Sequence, residues 1–490
     1  MPPDSQLERP IPLGIFAESG ESIGGIDDST LESFAEQAPE PERAQLAAKS
    51  DNSAHFGVIG EIDAKDLAQT GWAVMFAPGV EREMREALRP LLDHRKAQVG
   101  DERLFRVFEG PTAYRPGDTA ARWLARQDVR QDIVDPNLGI PYYLLIVGQP
   151  DEIPFDFQYA MDIYWAVGRL WFPSADDFRM YAASVIQYET MPRVPTSRQL
   201  AIFAPENDGD QATRLFRSQV ANSLAGSTLS RPAIGQSQKF AIQPFTGKTA
   251  TKDALNQILS GAIPNGTSAV VFSGSHGAVF RLDDPQQIEN QGAIVCQDWE
   301  GPGHSIHRDH RYAASDLSKN AKVHGLVHVL FACYGAGCPQ FDTFNRKANT
   351  PKPIAPKPFL SRLPQALLSH SDGGALAVLG HVDRAWSYSF QTTASKPQIQ
   401  AFRDVIGRVL QGERLGQATD QFNIRWAVLS TELAEAMDRL AGIELSDMQK
   451  QNLAKAWIAR DDARNYIIFG DPAVQLRVAE MPQLEPVGAL

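Results

Sequence analysis

The chain of 490 residues has 47 lysines and arginines against 59 aspartates and glutamates, a net charge of −12, and 43% hydrophobic residues. This composition predicts a folded, acidic protein with a sizeable core and argues against a nucleic-acid-binding surface. Three cysteines are too few for a disulfide framework, and no apolar run reaches the roughly 18–20 residues of a membrane helix. Since no signal-peptide pattern is visible either, we expect a cytoplasmic protein without a membrane or nucleic-acid partner.

Residues 1–50 are predicted to be an acidic, flexible arm. They hold 10 acidic and 3 basic residues, so −7 of the net charge lies there, and they are rich in glycine, proline and serine. Such a segment is typically mobile or docked on a partner, and its short apolar stretch IPLGIF is compatible with a strand. The sequence leaves open whether the arm inhibits the rest of the chain or docks elsewhere.

Strands and helices alternate from Phe56 onward, which predicts an α/β fold with a mainly parallel sheet flanked by helices. A linker near 191–198 divides this region into a smaller α/β subdomain at 51–195 and a larger domain at 196–480. The predicted strands are 72–78, 141–148, 199–205, 239–245, 268–277, 325–338, 375–382 and 466–476. The predicted helices are 80–98, 178–189, 209–225, 251–262, 359–370, 396–412, 416–439 and 446–460.

Two of these apolar strands end in reactive side chains. The run SAVVFSGSHG delivers His276 followed by Gly277, and GLVHVLFACYG delivers Cys333. Because functional groups gather beyond the carboxyl ends of parallel strands, we expect the two side chains to lie together. A strand cysteine alone is usually a small core residue, and a lone histidine is usually structural. Together at one edge, a thiol and an imidazole favour nucleophilic acyl transfer.

The ordered segments resemble the caspase-like cysteine peptidases of clan CD. FSGSHG, FACYGAGCP, ALAVLGHVDRAW and IIFGDPAVQL, with YLLIVGQPDEIPFDFQY in the first half, are similar to the CHAT-type and gingipain-like branches over roughly 140–480. The resemblance implies a caspase-hemoglobinase-like sheet preceded by a non-catalytic α/β subdomain. It also implies Cys333 as nucleophile, His276 as general acid and base, an oxyanion hole from the backbone N–H groups of Gly277 and Cys333, and no cofactor. A third carboxylate is not obligatory, and Asp298 is a weak candidate to orient His276.

Substrate preference is predicted from Asp383, which follows the strand after the cysteine strand. Related enzymes that cut after a basic residue place an acid near this position, and a buried carboxylate would pair with an arginine. The alternative is that Asp383 pairs with Arg384 or caps a turn. The proline-rich, basic segment 345–358 predicts an exposed loop, in which Arg346 and Lys347 are candidate self-cleavage points.

A metal site is disfavoured. His304, His307 and His310 recur every third residue, but no carboxylate or cysteine pattern of ligand spacing accompanies them.

The resemblance to clan CD peptidases implies an endopeptidase that cuts a specific partner protein in a regulated bacterial response such as antiphage defence or cell death, with an activating or inhibitory protein partner. A catalytically silent scaffold of the same fold, a small-molecule-binding α/β protein and a metal enzyme are the alternatives.

Overall fold

The computed structural model describes residues 11–24, 57–226, 232–344, 351–390, 399–440 and 445–482. Its strands are β1 Gly14–Phe16, β2 Trp72–Phe76, β3 Phe105–Phe108, β4 Tyr143–Val147, β5 Ala166–Leu170, β6 Ser197–Ala204, β7 Ala241–Thr246, β8 Ser268–Gly274, β9 Gly277–Val279, β10 Ile294–Val295, β11 Arg311–Tyr312, β12 Val327–Phe331, β13 Gly337–Cys338, β14 Phe359–Leu360, β15 Ala377–His381 and β16 Tyr466–Gly470.

The helices of the described residues follow the strands along most of the chain. They are α1 Leu67–Thr70, α2 Arg82–Val99, α3 Ala120–Arg126, α4 Phe155–Met161, α5 Ala175–Thr190, α6 Gln211–Leu215, α7 Asn222–Leu224, α8 Lys252–Leu259, α9 Gln287–Asn290, α10 Arg362–Leu368, α11 Gln400–Leu410, α12 Leu415–Ala418, α13 Asp420–Leu440 and α14 Asp447–Arg464. A π-helical stretch, Phe216–Ala221, joins α6 to α7. None of the helices in these ranges is long and apolar enough to cross a membrane.

One large sheet organises the described residues. Its ten strands lie in the order β3-β2-β4-β5-β16-β15-β12-β8-β6-β7. The strands from β3 to β16 run parallel to one another, as do those from β15 to β7, and the two groups meet at the antiparallel pair β15–β16. The carboxyl ends of the two groups therefore lie at opposite edges of the sheet. The predicted α/β fold with a mainly parallel sheet is confirmed.

The central strands are continuous apolar runs because the sheet is covered on both faces. All five residues of β4 and all five of β12 are buried. The largest hydrophobic cluster includes side chains from both groups of strands, so the regions before and after residue 195 share one core.

A buried ion network around Arg95 links helix α2 to helix α5 and to the end of β16. Arg95 Nε donates to Asp471 just after β16 at 2.7 Å, and its terminal nitrogens donate to Glu189 of α5 at 2.7 and 2.8 Å. Trp72 Nε1 donates to the other oxygen of Asp471 at 3.0 Å. Arg95 is fully buried, so its charge depends on both carboxylates.

A small second sheet lies beside the carboxyl edge of β8. Its order is β1-β9-β10-β11, and β1 pairs parallel with β9 in the register Gly14 to Gly277. Since β9 begins one residue after His276, this sheet places residues of the predicted acidic arm next to the candidate histidine. The described part of the arm, residues 11–24, is therefore docked on the body of the same chain.

Candidate active site

The two residues singled out from the sequence lie at one edge of the main sheet. Strands β8 and β12 are parallel neighbours, and Gly274 pairs with Phe331 at their carboxyl ends. His276 and Cys333 each follow two residues later, and Ser275 N donates to the Phe331 carbonyl at 3.1 Å. The structure thus brings the imidazole and the thiol to neighbouring strand ends.

His276 is buried and held from one side only. Its Nε2 atom lies 2.8 Å from Asp210 Oδ2, and the Trp299 ring meets it edge to face at 6.0 Å. Its Nδ1 atom is buried and has no hydrogen-bond partner in the described part of the chain. With Nε2 directed at the carboxylate, Nδ1 is the ring nitrogen that remains available for proton transfer.

Asp210 is a functional candidate that the sequence analysis missed. It caps the N-terminus of α6, where its Oδ2 accepts the Thr213 N–H at 3.1 Å and the Thr213 hydroxyl at 2.6 Å. Burial by itself raises the pKa of Asp210, but the charge and hydrogen bond of His276 and the Thr213 contacts outweigh it and lower the pKa to about 2. Asp210 is therefore a carboxylate at neutral pH.

The prediction that Asp298 orients His276 is wrong. Asp298 Oδ2 accepts the backbone N–H of Lys252 at the start of α8 at 2.7 Å. The available signal for Asp210 is its position: it follows β6, which pairs with β8, so it shares the carboxyl edge with the histidine.

Cys333 is fully buried, and its sulfur contacts the backbone of Ala385. The Ala385 N–H donates to Cys333 Sγ at 3.1 Å, and Sγ lies 3.5 Å from the Ala385 carbonyl oxygen. Burial raises the pKa of the Cys333 thiol far above its ordinary value. No hydrogen bond joins this thiol to His276 within the described ranges, so the cysteine is a neutral thiol in this state.

Two backbone N–H groups beside the cysteine point at one oxygen atom. The amides of Gly277 and Cys333 donate to the carbonyl oxygen of Leu13, at 3.1 and 3.2 Å. This is the pair of donors proposed from the sequence as an oxyanion hole. Glycine is required at 277 because a Cβ atom there would overlap the carbonyl oxygen of Cys333.

Asp383 is buried at the end of the β15 loop, and both of its carboxylate oxygens have partners within the chain. Oδ1 accepts the Arg384 N–H at 2.7 Å, and Oδ2 accepts the Thr343 hydroxyl. The Arg384 side chain pairs with Asp342. Burial, followed by the charge of Asp342, raises the pKa of Asp383 to about 6. These contacts are those of a residue that stabilises its own loop.

The remaining sequence candidates lie outside this arrangement. Cys296 and Cys338 are buried and free of disulfides, and Cys338 Sγ lies 3.8 Å from Gln291 Nε2. The three histidines at 304, 307 and 310 form no group with other metal-ligating side chains, and no such group occurs among the described residues. Arg346 and Lys347, the predicted self-cleavage points, lie outside the described residues.

A cysteine and a histidine at neighbouring parallel strand ends, with two backbone donors focused on one carbonyl oxygen, define an α/β cysteine peptidase. The sequence profile of Peptidase family C25 matches residues 74–477, and the chain belongs to this family. The predicted clan CD resemblance is thereby confirmed at the level of the family, while its CHAT-type part stays a prediction.

Solved structures similar to this chain include other proteases. One is described as "Structure of Protease", with 12% identity, a TM-score of 0.44, and 83% of this chain and 78% of that chain covered. Another is the Arg-specific cysteine proteinase gingipain R, with 13% identity, a TM-score of 0.44, and 84% and 79% covered. A third is the complex of the Porphyromonas gingivalis RgpB pro- and mature domains, with 13% identity, a TM-score of 0.39, and 83% and 80% covered. No curated protein matches the chain.

Proposed function

We propose that the protein is a cysteine endopeptidase in which Cys333 is the nucleophile and His276 the general acid and base. One observation carries the proposal above all. The N–H groups of Gly277 and Cys333 both donate to the carbonyl oxygen of Leu13, and one of these two donors belongs to Cys333, whose thiol is the proposed nucleophile. Donors placed in this way stabilise the oxyanion of a tetrahedral intermediate, which is the largest single contribution in most acyl-transfer enzymes.

The proton path follows from the two nitrogens of His276. Nε2 donates to the Asp210 carboxylate, so Nδ1 receives the thiol proton of Cys333 as the thiolate attacks. The carbon–nitrogen bond of the substrate then breaks, and His276 returns the proton to the leaving amine. Water, deprotonated by the same nitrogen, hydrolyses the thioester and restores the thiol. Asp210 positions the ring and stabilises the imidazolium that forms between these steps.

Substrate and pathway form the finer part of the proposal. The sequence resemblance supports a specific partner protein as substrate and a regulated bacterial response, such as defence or cell death, as the setting. The preference for cleavage after a basic residue, which the sequence analysis predicts from Asp383, stays a prediction. New protein N-termini that appear with the wild type but not with Cys333→Ala, in cells that express the genomic neighbours, would identify the substrate.

The activity itself is tested with a peptide-based thiol electrophile and intact-mass measurement. We expect a single adduct on Cys333 and hydrolysis of a peptide library by the wild type. Cys333→Ala abolishes both. Cys338→Ala is the matched control, because this thiol is also fully buried and lies five residues away, and it keeps both. A Cys333 that is neither labelled nor able to cut any peptide, in the wild type and also in Gly14→Ala, whose added Cβ would displace the segment packed on the sulfur, would instead support the silent scaffold.

A further inference from the structure

Residues 11–16 run through the candidate active site as an extended peptide. On one side, Leu13 N donates to the Ala385 carbonyl at 2.8 Å and Ser387 N donates to the Ile11 carbonyl at 3.0 Å, in an antiparallel arrangement. On the other side, Gly14–Phe16 pairs parallel with β9. The partner strand changes at the bond between Leu13 and Gly14. Backbone pairing of this kind is how proteins bind extended peptides.

The bond between Leu13 and Gly14 lies at the reactive groups. The Leu13 carbonyl oxygen accepts both proposed oxyanion donors. A Cβ atom on Gly14 would lie only 2.9 Å from Cys333 Sγ, so the glycine backbone sits directly against the sulfur. We propose that residues 11–16 occupy the cleft as the enzyme's own substrate, that Cys333 cuts the Leu13–Gly14 bond, and that the cleft selects an aliphatic residue before the cut. This inference rests on the proposed endopeptidase function.

The cut requires no group beyond the site and water. The Cys333 sulfur bonds to the Leu13 carbonyl carbon while the bond to the Gly14 nitrogen breaks, and His276 carries the thiol proton to that nitrogen. Water then replaces the sulfur, which leaves a carboxylate on Leu13, an amino group on Gly14 and the regenerated thiol.

The aliphatic preference follows from the surroundings of the Leu13 side chain. It is fully buried and belongs to the main hydrophobic cluster. An arginine in its place would need an unengaged carboxylate, but both oxygens of Asp383 already accept hydrogen bonds from Arg384 and Thr343. Burying a guanidinium without a free partner is costly, whereas a leucine gains from the same apolar walls.

The same segment keeps the thiol covered until it is cut. After Gly14 the chain turns back, and Ile23 N donates to the Gly14 carbonyl at 3.1 Å. A Cβ atom on Gly14 would lie 2.6 Å from Ile23 Cδ1, so glycine is what lets this hairpin close over the sulfur. Cys333 is fully buried beneath it. Other peptides are therefore excluded from the site while residues 11–24 remain in place.

The first test incubates the purified full-length wild type and follows its intact mass and new N-termini. We expect a terminus at Gly14, and no such terminus with Cys333→Ala. Leu13→Met keeps an apolar side chain of similar size and should be cut within about threefold of the wild-type rate. Leu13→Asp should be cut at least about tenfold more slowly. A Cys333 that is labelled by the electrophile or cuts other peptides, with no terminus at Gly14, would overturn the inference and leave the proposed function standing.

The second test uses peptides, so it does not depend on how the variants fold. Acetyl-Ile-Pro-Leu-coumarin should have a kcat/KM at least about tenfold above that of the arginine analogue. Better turnover of the arginine peptide would refute the aliphatic preference and support the basic one.

A third measurement tests whether residues 11–24 shield the Cys333 thiol. Gly14→Ala should displace the segment and increase the initial rate of Cys333 labelling. Gly60→Ala is the control, since a Cβ there meets nothing within 4 Å. Equal labelling rates for wild type and Gly14→Ala would show that the segment does not guard the thiol.

Discussion

Replacing Asp210 by asparagine should slow the proposed peptide-bond hydrolysis by Cys333 and His276 while leaving the fold intact. The carboxylate lies 2.8 Å from His276 Nε2, and the pKa of Asp210 falls from 3.8 to about 2. This net shift, to which His276 contributes most and Thr213 the rest against the cost of burial, corresponds to about 2 kcal/mol in favour of the charged carboxylate. Asparagine keeps an oxygen to cap α6, but it is neutral and stabilises an imidazolium less well. If most of that interaction stabilises the His276 imidazolium formed during proton transfer, its loss in Asp210→Asn lowers kcat by about 10- to 100-fold.

The assay compares kcat and KM of Asp210→Asn with those of Asp298→Asn between pH 5 and 9. Peptide hydrolysis and the proposed cut at Leu13–Gly14 use the same catalytic groups, so either reaction gives the ratio of the variant rate to the wild-type rate. We expect a lower kcat and a pH profile displaced to lower pH for Asp210→Asn, because the imidazolium loses its counter-charge. Asp298→Asn should stay within about threefold of the wild type, since Asp298 contacts Lys252. A normal kcat and pH profile for Asp210→Asn would refute the reasoning.

Three further predictions concern the architecture around the site. Gly277→Ala places a Cβ atom against the Cys333 carbonyl oxygen, so we expect loss of cutting and a lower melting temperature; normal cutting would contradict the assigned donor geometry. Burial raises the pKa of Asp420 from 3.8 to about 7, so this group stabilises the fold below pH 4 and loses that contribution as the pH rises through 7. In urea unfolding, the stability of wild type relative to Asp420→Asn should therefore fall by on the order of 2–4 kcal/mol between pH 4 and pH 8, and a pH-independent difference would count against it. Arg95→Met leaves two buried carboxylates without their cation and should lower the free energy of unfolding by about 3–5 kcal/mol, whereas an unchanged urea midpoint would show that the network contributes nothing.

Most of the central strands of the main sheet were predictable because they are buried on both faces and read as apolar runs, whereas β3 and β5 were absent from the predicted strands. Predicted strand 141–148 corresponds to β4, and the predicted strand at 466–476 begins with β16. The direction of β16 was not predictable. An apolar run carries no information on orientation, and the antiparallel pairing with β15 depends on packing across the sheet.

The cysteine and the histidine were also predictable, because each directly follows an apolar strand and a glycine lies close by. Asp210 was missed because it lies 66 residues before its partner and reads locally as an ordinary helix cap. Residues 11–13 were missed for a related reason. Their partners are backbone groups more than 260 positions away, and backbone pairing leaves no mark on the composition of an acidic arm.

The place of β16 in the sheet has a consequence for synthesis on the ribosome. This strand separates β5 from β15, yet about 300 residues are made between β5 and β16. At roughly 5–20 residues per second, the edge of β5 waits about 15–60 s for β16, whereas the edge of β15, made about 85 residues before β16, waits only about 4–17 s. Residues 11–24 emerge long before β8 and β12 and are present when the strand ends that form the cleft come together. On the proposal that residues 11–24 cover Cys333, the thiol is thus shielded from other proteins from the moment the cleft forms.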